Sequence, residues 1–241
     1  MPPTSPPPEP VRLAWVLVAG ALRRVADFAG TPAAARPPAR CPVCGEPVTL
    51  RLGEIVTPHA AHRPESRCPL QHEETALHYN TKHHLASVLR AAIPGGPLTL
   101  RLRCAHRGGV VGDTIWTPGL VPCAAVREEP LVGAWDAVEV EAGLSDVRPD
   151  ILLRAGGAPA AALEVRRTHA VTAAKVERLA ARGLAWAEVV ASRALYAEFG
   201  AWTADVPLTV LRSHRTARWT CEYHRDRRPA GARARDPCLR G

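Results

Sequence analysis

The chain of 241 residues is 46% hydrophobic and 22% charged, a balance that indicates a packed core and excludes a largely disordered chain. Its length suits one large domain, or a core domain with a small appendage. The formal net charge of +8 is carried almost entirely by arginine, because lysine occurs only at positions 82 and 175.

Membrane and secreted classes of protein are not expected. The longest apolar run, Leu13 to Leu22, is about half of the ~20 residues that cross a bilayer. A proline-rich leader precedes it without a basic n-region, so we do not expect a signal peptide. We therefore expect a cytoplasmic protein, whose seven cysteines are metal ligands or free thiols.

The N-terminal part is predicted to hold two small regions after a leader. Residues 1–10 contain six prolines and are predicted to be disordered or extended. Leu13–Val18 and Leu22–Phe28, separated by Ala-Gly-Ala, predict a hairpin of two short strands. Thr31–Arg40 is predicted to be a Pro/Ala linker, and residues 41–70 are dense in Cys, His and Pro, as in a metal-organised knuckle.

The middle of the chain is predicted to begin with a helix and continue with strands. The helix extends from Glu73 to Ala92, and the sequence Pro-Gly-Gly at 94–96 ends it. The predicted strands are Leu98–Arg103, Trp135–Glu141, Asp150–Arg154 and Ala160–Arg167. Residues 104–129 are expected to be irregular.

Helix and strand alternate in the last part. Thr172 is the predicted N-cap of a helix through Arg182, with Gly183 at its C′ position. The elements expected after it are a buried strand at Leu184–Ala191, a short helix near Arg193–Ala201 and a strand at Val206–Leu211. This order predicts an α/β fold with a mixed sheet flanked by helices. The predicted regions are a leader (1–10), a strand pair with a knuckle (11–70), a core (71–212) and a basic tail (213–241).

Two pairs of metal-ligating residues stand in the knuckle region. Cys41 and Cys44 are separated by two residues, as are His59 and His62, and Zn²⁺ takes four such N/S ligands in a tetrahedron. We therefore predict a structural zinc, with Cys68 as a spare that could replace one ligand. The alternative is a pair of free cysteines near two surface histidines.

Two weaker groupings have three candidates each: Cys104, His106 and Cys123, and then Cys221, His224 and Cys238. Neither completes a tetrahedral site alone, so they can contribute to one shared zinc site or to none. The alternative is that they are small buried thiols and solvated histidines.

An acidic grouping follows on the predicted strands. Asp150 and Glu164 can lie side by side if their strands pair as a hairpin, and Arg166 shares the face of Glu164. Two carboxylates and a cation on one sheet face suit Mg²⁺-dependent phosphodiester cleavage. Ordinary surface charge is the alternative.

Neighbouring residues strengthen that prediction. Glu139 and Glu141 alternate on the preceding strand, where each is placed to add a third carboxylate, and Lys175 stands on the next helix. Glu74, with His78 and Lys82 at i+4 and i+8, forms a polar line on the first helix; its alternative is a solvated face.

Four segments carry a resemblance to a known family. The sequences "CPVCGEPVTLRLGEIVTPHAAH", "HYNTKHHLA", "RPDILL" and "LEVRRTHAVTAAKVERL", in this order, resemble the competence protein CoiA-like family. The core of that family resembles the PD-(D/E)XK nuclease superfamily. The resemblance covers residues 11–212 and implies a restriction-endonuclease-like fold, a cytoplasmic location and a role in DNA uptake and recombination.

By position, the resemblance implies that Asp150 and Glu164 are the metal-binding acids, with Glu139 or Glu141 joining them. Glu74 would be the acid of the first helix. Arg166 replaces the superfamily's lysine and can clamp a phosphate but cannot donate a proton at neutral pH. Lys175 is the lysine placed to take over that role.

Three hypotheses follow. The first is a Mg²⁺- or Mn²⁺-dependent DNA endonuclease or exonuclease, with possible recombination or repair proteins as partners. The second is a non-catalytic, zinc-containing DNA-binding protein with a degenerate nuclease site, and the third is an interaction module whose knuckle docks a protein. Residues 212–241, with nine arginines and three acids, favour DNA as a partner.

Overall fold

The computed structural model describes residues 12–53, 57–104, 110–111, 114–115, 124–167, 170–191, 202–216 and 219–222. The chain divides into two compact units, residues 1–85 with 191–201 and residues 86–190 with 202–241. The described residues form a mixed α/β fold with two α-helices, three sheets of three to five strands and a two-stranded ribbon. Neither helix has both the length and the apolar character to span a membrane. The leader at 1–10 and the short helix predicted near 193–201 lie outside the described residues.

The first unit contains a five-stranded antiparallel sheet. Its strands are β1 (Trp15–Val18), β2 (Ala21–Arg24), β3 (Ala39–Arg40), β4 (Pro47–Arg51) and β5 (His59–Ala61), in the spatial order β2-β1-β3-β4-β5. Its core consists of Leu13, Val16, Val25, Ala39, Cys41, Leu50, Ala60, Cys68 and Leu70. Two of the knuckle cysteines therefore belong to this core.

The hairpin predicted near the N-terminus is confirmed in its first half. β1 and β2 pair through a two-residue turn at Ala19 and Gly20, both with positive φ, as in a type I′ turn. The ladder ends where Trp15, the first residue of β1, faces Arg24. The strand predicted to continue through Val25–Phe28 is instead a 3₁₀ helix, and the N–H of its first residue, Val25, donates to the carbonyl of Ala14 at 2.9 Å.

The first α-helix, α1 (Glu73–Ala91), begins at the predicted residue and ends one residue earlier than predicted. Its buried Asn80 accepts a hydrogen bond from the N–H of Ala14 at 3.0 Å and donates to the carbonyl of Arg12 at 2.7 Å. The side-chain amide thus satisfies backbone groups at the start of β1.

The second unit contains a three-stranded sheet, a ribbon and the main sheet. The three strands are β6 (Leu98–Arg103), β9 (Val126–Val132) and β14 (Leu208–Val210), in the order β14-β6-β9, and the ribbon pairs β7 (Val110–Val111) with β8 (Thr114–Ile115). β9 begins inside the segment predicted to be irregular. Its first three residues are exposed and charged residues interrupt its pattern, as an edge strand allows.

The main sheet holds the predicted acidic residues. Its strands are β10 (Ala137–Val140), β11 (Ile151–Ala155), β12 (Ala158–Arg166), β13 (Ala185–Val190) and β15 (Arg212–Ser213), in that spatial order. β12 and β13 are parallel and the other pairs are antiparallel. The second helix, α2 (Ala173–Ala181), connects β12 to β13 and packs its buried Leu179 against Leu152, Ala162 and Trp186.

Candidate metal centre and candidate active site

The first candidate site is a cluster of four side chains in the first unit: Cys41, Cys44, His62 and Cys68. Their ligand atoms all lie within 4.8 Å of one another. The Sγ atoms of Cys41 and Cys68 are 3.7 Å apart, and Sγ of Cys44 is 3.5 Å from Nε2 of His62. A zinc tetrahedron has edges of about 3.8 Å between two sulfurs and about 3.6 Å between sulfur and nitrogen. The two distances between Sγ of Cys41 and Sγ of Cys68 and between Sγ of Cys44 and Nε2 of His62 thus match a zinc tetrahedron, and the cluster can hold a zinc ion.

The turn that carries Cys41 and Cys44 is held by its own backbone. The N–H of Cys41 donates to the carbonyl of Glu46 at 2.8 Å, and the N–H of Gly45 donates to the carbonyl of Cys41 at 3.0 Å. Gly45 has a φ of +73°, which a residue with a Cβ adopts only with strain. The N–H of Val43 lies 3.4 Å from Sγ of Cys41, where it can donate to a thiolate. The local sequence thus orients the first pair of sulfurs.

His59, which the spacing predicts as a ligand, lies outside this cluster. Residues three apart along a strand point to opposite faces, so β5 and the residue after it cannot direct His59 and His62 to one ion. The ring of His59 bonds instead to the carbonyl of Thr57 through Nδ1 and to the Arg12 guanidinium through Nε2, each at 2.9 Å. Cys68 supplies the fourth donor of the cluster.

Burial changes how the cluster titrates. Desolvation raises the pKa of the Cys68 thiol to about 12 and also raises the pKa of Cys41. The same effect lowers the pKa of His62, so its imidazole is neutral at pH 7 and ready to bind a metal. The two buried thiols would lose their protons in exchange for the cation, so zinc affinity should rise with pH.

The second candidate site lies in the second unit, where three acids occupy neighbouring strands of the main sheet. Asp150 precedes β11, and Glu164 on β12 is the direct partner of Glu188 on β13. Oδ2 of Asp150 accepts a hydrogen bond from the N–H of Val165 at 2.8 Å, which holds this carboxylate against β12. The predicted pairing of the Asp150 and Glu164 strands is confirmed.

Lys175 reaches Glu164 from α2. The helix begins after its predicted N-cap, Thr172, whose Oγ1 accepts a hydrogen bond from the N–H of Lys175 at 3.3 Å. Lys175 therefore lies in the first turn, and its Nζ donates to Oε2 of Glu164 at 2.7 Å. The structure thus brings together Asp150, Glu164 and Lys175.

Glu164 has one carboxylate oxygen in a hydrogen bond and the other buried. It is 3% exposed, and its Oε1 has no hydrogen-bond partner in the described part of the chain. Burial is the largest influence on its pKa; the hydrogen bond from Lys175 opposes it, and the charges of Asp150 and Glu188 reinforce it. The result is a pKa raised to about 7. A cation bound at Oε1 would stabilise the charged form of Glu164 against both its desolvation and its repulsion by Asp150 and Glu188.

Glu188 is a candidate that sequence reasoning missed. It is fully buried; its Oε1 accepts a hydrogen bond from the N–H of Val171 at 3.1 Å, and its Oε2 pairs with the Arg212 guanidinium. The sequence did contain a signal for Glu188. A single glutamate inside the apolar strand "AWAEVV" is expected to be buried, and a buried carboxylate needs a cation or hydrogen-bond donors around it.

Glu139 on β10 and Glu141, the residue after that strand, each accept a hydrogen bond from an arginine. Oε1 of Glu139 accepts a hydrogen bond from Nε of Arg154 at 2.8 Å. Oε2 of Glu141 accepts one from the Arg148 guanidinium at 3.0 Å. Each carboxylate is thus part of an ion pair with an arginine. The backbone N–H of Glu141 also donates to the carbonyl of Asp150 at 3.0 Å, so whether either glutamate joins the site stays a prediction.

Two more of the predicted site residues, Arg166 and Glu74, lie on a strand and a helix of the described structure. Arg166 follows Glu164 by two residues on β12 and so shares its face, and its guanidinium forms no ion pair with a described acid. Glu74 is the second residue of α1, and its part of the helix belongs to the first unit. Its role as a site acid stays a prediction.

Only two members of the weaker Cys/His groupings lie within the described residues. Cys104 and Cys221 are buried, and they are near each other in the second unit. His106, Cys123, His224 and Cys238 lie outside the described residues.

Comparison with known proteins bears on the first site. Residues 36–71 match the family model described as the competence protein CoiA, N-terminal domain. That stretch contains all four residues of the metal-ligating cluster. No curated protein and no solved structure matches the chain.

Proposed function

We propose that this chain is a metal-dependent DNA nuclease with an active centre formed by Asp150, Glu164 and Lys175. The observation that carries the proposal is the 2.7 Å contact between Nζ of Lys175 and Glu164, beside the carboxylate of Asp150. Two acids that can bind a metal and a fixed cation form the set on which metal-assisted phosphodiester cleavage depends.

Asp150 and Glu164 fit a hard divalent cation. Their carboxylate oxygens are the donors that Mg²⁺ and Mn²⁺ prefer, and Oε1 of Glu164 has no partner among the described residues. When bound, such a cation lowers the pKa of a water molecule and screens charge on the phosphate. Lys175 holds Glu164 by its other oxygen. Arg166, which is always charged, can donate to a phosphate oxygen from the same face.

The fold of the second unit supports the same proposal. Its main sheet is mixed, with α2 packed on one face, as in the restriction-endonuclease-like core that the resemblance implies. Asp150 directly precedes β11 and Glu164 lies on the adjacent strand β12, so we place the substrate backbone against this part of the sheet.

DNA is the proposed substrate because of charge. The chain has a formal net charge of +8, and the nine arginines of residues 212–241 outnumber three acids. Such an excess attracts the phosphate backbone without regard to sequence. The match of residues 36–71 to the N-terminal domain of a competence protein supports a competence-related role. The setting proposed here is DNA uptake or recombination in the cytoplasm, with recombination or repair proteins as further partners.

The cluster of Cys41, Cys44, His62 and Cys68 is proposed to hold a structural zinc. Three thiolates and an imidazole form a closed tetrahedral set that leaves no position for a reacting water. Its two buried cysteines also line the core of the first unit, so the ion would support folding there.

The proposal is tested by incubating the purified chain with linear single- and double-stranded DNA in Mn²⁺ or Mg²⁺. We expect Asp150→Asn and Glu164→Gln to reduce cleavage by about 100-fold or more, because each removes a charged ligand of the cation. Glu128→Gln is the matched control, since it breaks an exposed ion pair with Arg101 and should cleave like the wild type.

Cleavage that persists in both site variants would overturn the assignment. A wild type that binds DNA without cutting it would favour the second candidate, a non-catalytic zinc-containing DNA-binding protein. Arg166 in place of the superfamily's lysine is the observation that favours this second candidate.

A further inference from the structure

We propose that the first unit binds DNA through the outer face of its five-stranded sheet, where Arg24, Arg40 and Arg51 contact the phosphate backbone. The three arginines stand on β2, β3 and β4. This surface deepens the proposed function, on which it rests for DNA as the partner, and it lies in the unit that does not contain Asp150 and Glu164.

The strand register puts Arg40 and Arg51 on one face of the sheet. Directly paired residues of antiparallel strands share a face, and so do residues two apart along one strand. Arg40 is paired with Leu17 of β1 on one side and with Pro47 of β4 on the other. Arg51 follows Pro47 by four residues on β4, so its side chain belongs to the same face as that of Arg40.

Arg24 shares this face, and the core of the unit lies on the other. Leu17 is also paired with Leu22 of β2, and Arg24 follows Leu22 by two residues. The residues next to Leu17 and Arg40 in the chain, Val16 and Ala39, point the opposite way and are buried in the core. The face that carries the three arginines is therefore the outer one.

The arginines form a diagonal row across the sheet. Strands lie about 4.8 Å apart and residues along a strand about 3.4 Å apart, so the register separates Arg24 from Arg40, and Arg40 from Arg51, by about 12–14 Å. Each separation spans about four phosphates of one DNA strand, measured along the helix axis. Thr49, exposed on the same face of β4, adds a hydroxyl that can donate to a phosphate oxygen.

The positive charge of this row is not compensated within the sheet. The five strands contain four arginines and no aspartate or glutamate. Arg40 and Arg51 are exposed and Arg24 is half-buried, and none of them pairs with an acid among the described residues. Arg40 donates to the carbonyl of Gly45 at 2.9 Å, a neutral acceptor that orients the guanidinium and leaves its charge available.

The same face lacks what a membrane or a typical protein partner requires. Such partners bind through exposed apolar or aromatic anchors at the centre of the contact. None of the exposed large apolar residues of the described chain lies on β1 to β5; they are Val43, Ile93, Val126, Val206 and Leu211. A row of arginines without such an anchor fits a polyanion, and a guanidinium binds phosphate by paired hydrogen bonds.

The salt dependence of duplex DNA binding tests the surface. The full chain is titrated against a fluorescently labelled duplex without added Mg²⁺ or Mn²⁺, and the binding is measured by anisotropy. We expect the triple variant Arg24→Gln/Arg40→Gln/Arg51→Gln to lower the slope of log affinity against log salt by up to about 3, and to bind about 10-fold or more weakly at 0.1 M salt. Lysine at the same three positions keeps the charge and should restore most of the slope.

A matched control removes three arginines that the protein already pairs with acids. Arg101 pairs with Glu128, Arg148 with Glu141 and Arg182 with Asp146. Glutamine at these three positions changes the net charge by the same amount and should leave the slope near that of the wild type. An equal loss in this control would overturn the surface, because net charge alone would then govern binding.

Arg40 contacts the turn that carries Cys41 and Cys44, so the double variant Arg24→Gln/Arg51→Gln gives a second readout that leaves this turn intact. We expect its slope to fall by up to about 2 with an unchanged zinc content. A wild-type slope in the double and triple variants would overturn the surface, and continued cleavage by the wild type would leave the proposed nuclease standing. A slope lowered as expected in a chain that does not cleave would support the surface and contradict the nuclease alone.

Discussion

Single residues of the main sheet show what a buried charge requires in this fold. Glu188 is fully buried, and the protein supplies a partner to each of its oxygens: a backbone N–H from Val171 and the Arg212 guanidinium. Glu164, its direct neighbour, has Lys175 on one oxygen and no partner among the described residues on the other. The two acids therefore differ, since each oxygen of Glu188 has a protein partner, whereas only one oxygen of Glu164 has a partner among the described residues.

The raised pKa of Glu164 makes stability depend on pH. Its pKa is about 7 in the folded protein against an ordinary value of 4.5, so between these values the folded protein binds more protons than the unfolded chain. The free energy of unfolding therefore falls as pH rises through this window, by about 3 kcal/mol in total. Without added Mg²⁺ or Mn²⁺, we expect Glu164→Gln to be more stable than the wild type at pH 8, with the difference shrinking towards pH 5. Urea unfolding at the two pH values measures it.

Glu128→Gln serves as control for that measurement, because it also replaces a glutamate, but one whose carboxylate is exposed and pairs with Arg101. A Glu164→Gln variant that is less stable than the wild type at pH 8 would contradict the prediction.

Arg212 compensates the charge of Glu188. Its guanidinium pairs with Glu188, donates to the carbonyl of Val171 at 2.9 Å and lies 5.4 Å from the ring of Trp186. Arg212→Met keeps an apolar stem over the ring but leaves the carboxylate buried and unpaired. We expect a loss of about 3–5 kcal/mol in unfolding free energy, most of which Glu188→Gln in the same chain restores. Additive losses in the double variant, measured by urea unfolding, would show that the two residues do not act as a pair.

At the scale of elements, the N-terminus of helix α2 positions a lysine of the candidate active site. Its N-cap Thr172 bonds to the N–H of Lys175, so the cap fixes the turn whose lysine reaches Glu164. Thr172→Ala should reduce the unfolding free energy by about 1 kcal/mol, whereas Thr172→Ser should preserve it. The same Ala variant should reduce DNA cleavage less than Glu164→Gln does. Equal stability of the Ala and Ser variants would contradict the role of the cap.

Elements with regular patterns could be predicted from the sequence, and those set by tertiary pairing could not. α1, α2 and the strands around Asp150 and Glu164 follow apolar periodicity and cap residues closely. β9 was missed because charged side chains interrupt its pattern at the edge of a sheet. The 3₁₀ helix at Val25–Phe28 was missed because the length of a strand depends on its partner, which local sequence does not reveal.

In the metal-ligating cluster, too, local sequence predicted some ligands, and the tertiary fold determined the others. The Cys-x-x-Cys turn could be predicted because its two cysteines are close in sequence and Gly45, which follows them, adopts the positive φ that the turn needs. The spacing of His59 and His62 suggested a second chelating pair, but β5 sends them to opposite faces. Cys68 was recognised only as a spare, because its approach to Cys41 depends on the folding of the intervening hairpin.

At the scale of the whole molecule, the distribution of charge allows the proposed DNA binding and the proposed cleavage to be tested separately. The six arginines of residues 223–241 are all distant in sequence from Asp150 and Glu164. Their replacement can therefore lower the proposed affinity for DNA while the candidate acids stay unchanged. Each arginine that neutralises a phosphate releases counterions and adds roughly 0.9 to the slope of log affinity against log salt on duplex DNA. If these arginines bind DNA, their contribution can therefore be measured as a change in the salt dependence of binding.

We expect replacement of these six arginines by glutamine to lower the salt slope of duplex DNA binding by up to about 5, if all of them contact phosphate. The variant leaves the cluster of Cys41, Cys44, His62 and Cys68 unchanged and should bind as much zinc there as the wild type. Its cleavage should approach the wild-type rate at low salt and fall below it as salt increases, since only electrostatic attraction is lost. Glu164→Gln should behave in the opposite way, with near-normal binding and little cleavage. A salt slope unchanged by the six replacements would place the DNA contacts elsewhere on the chain and leave the C-terminal arginines without a part in binding.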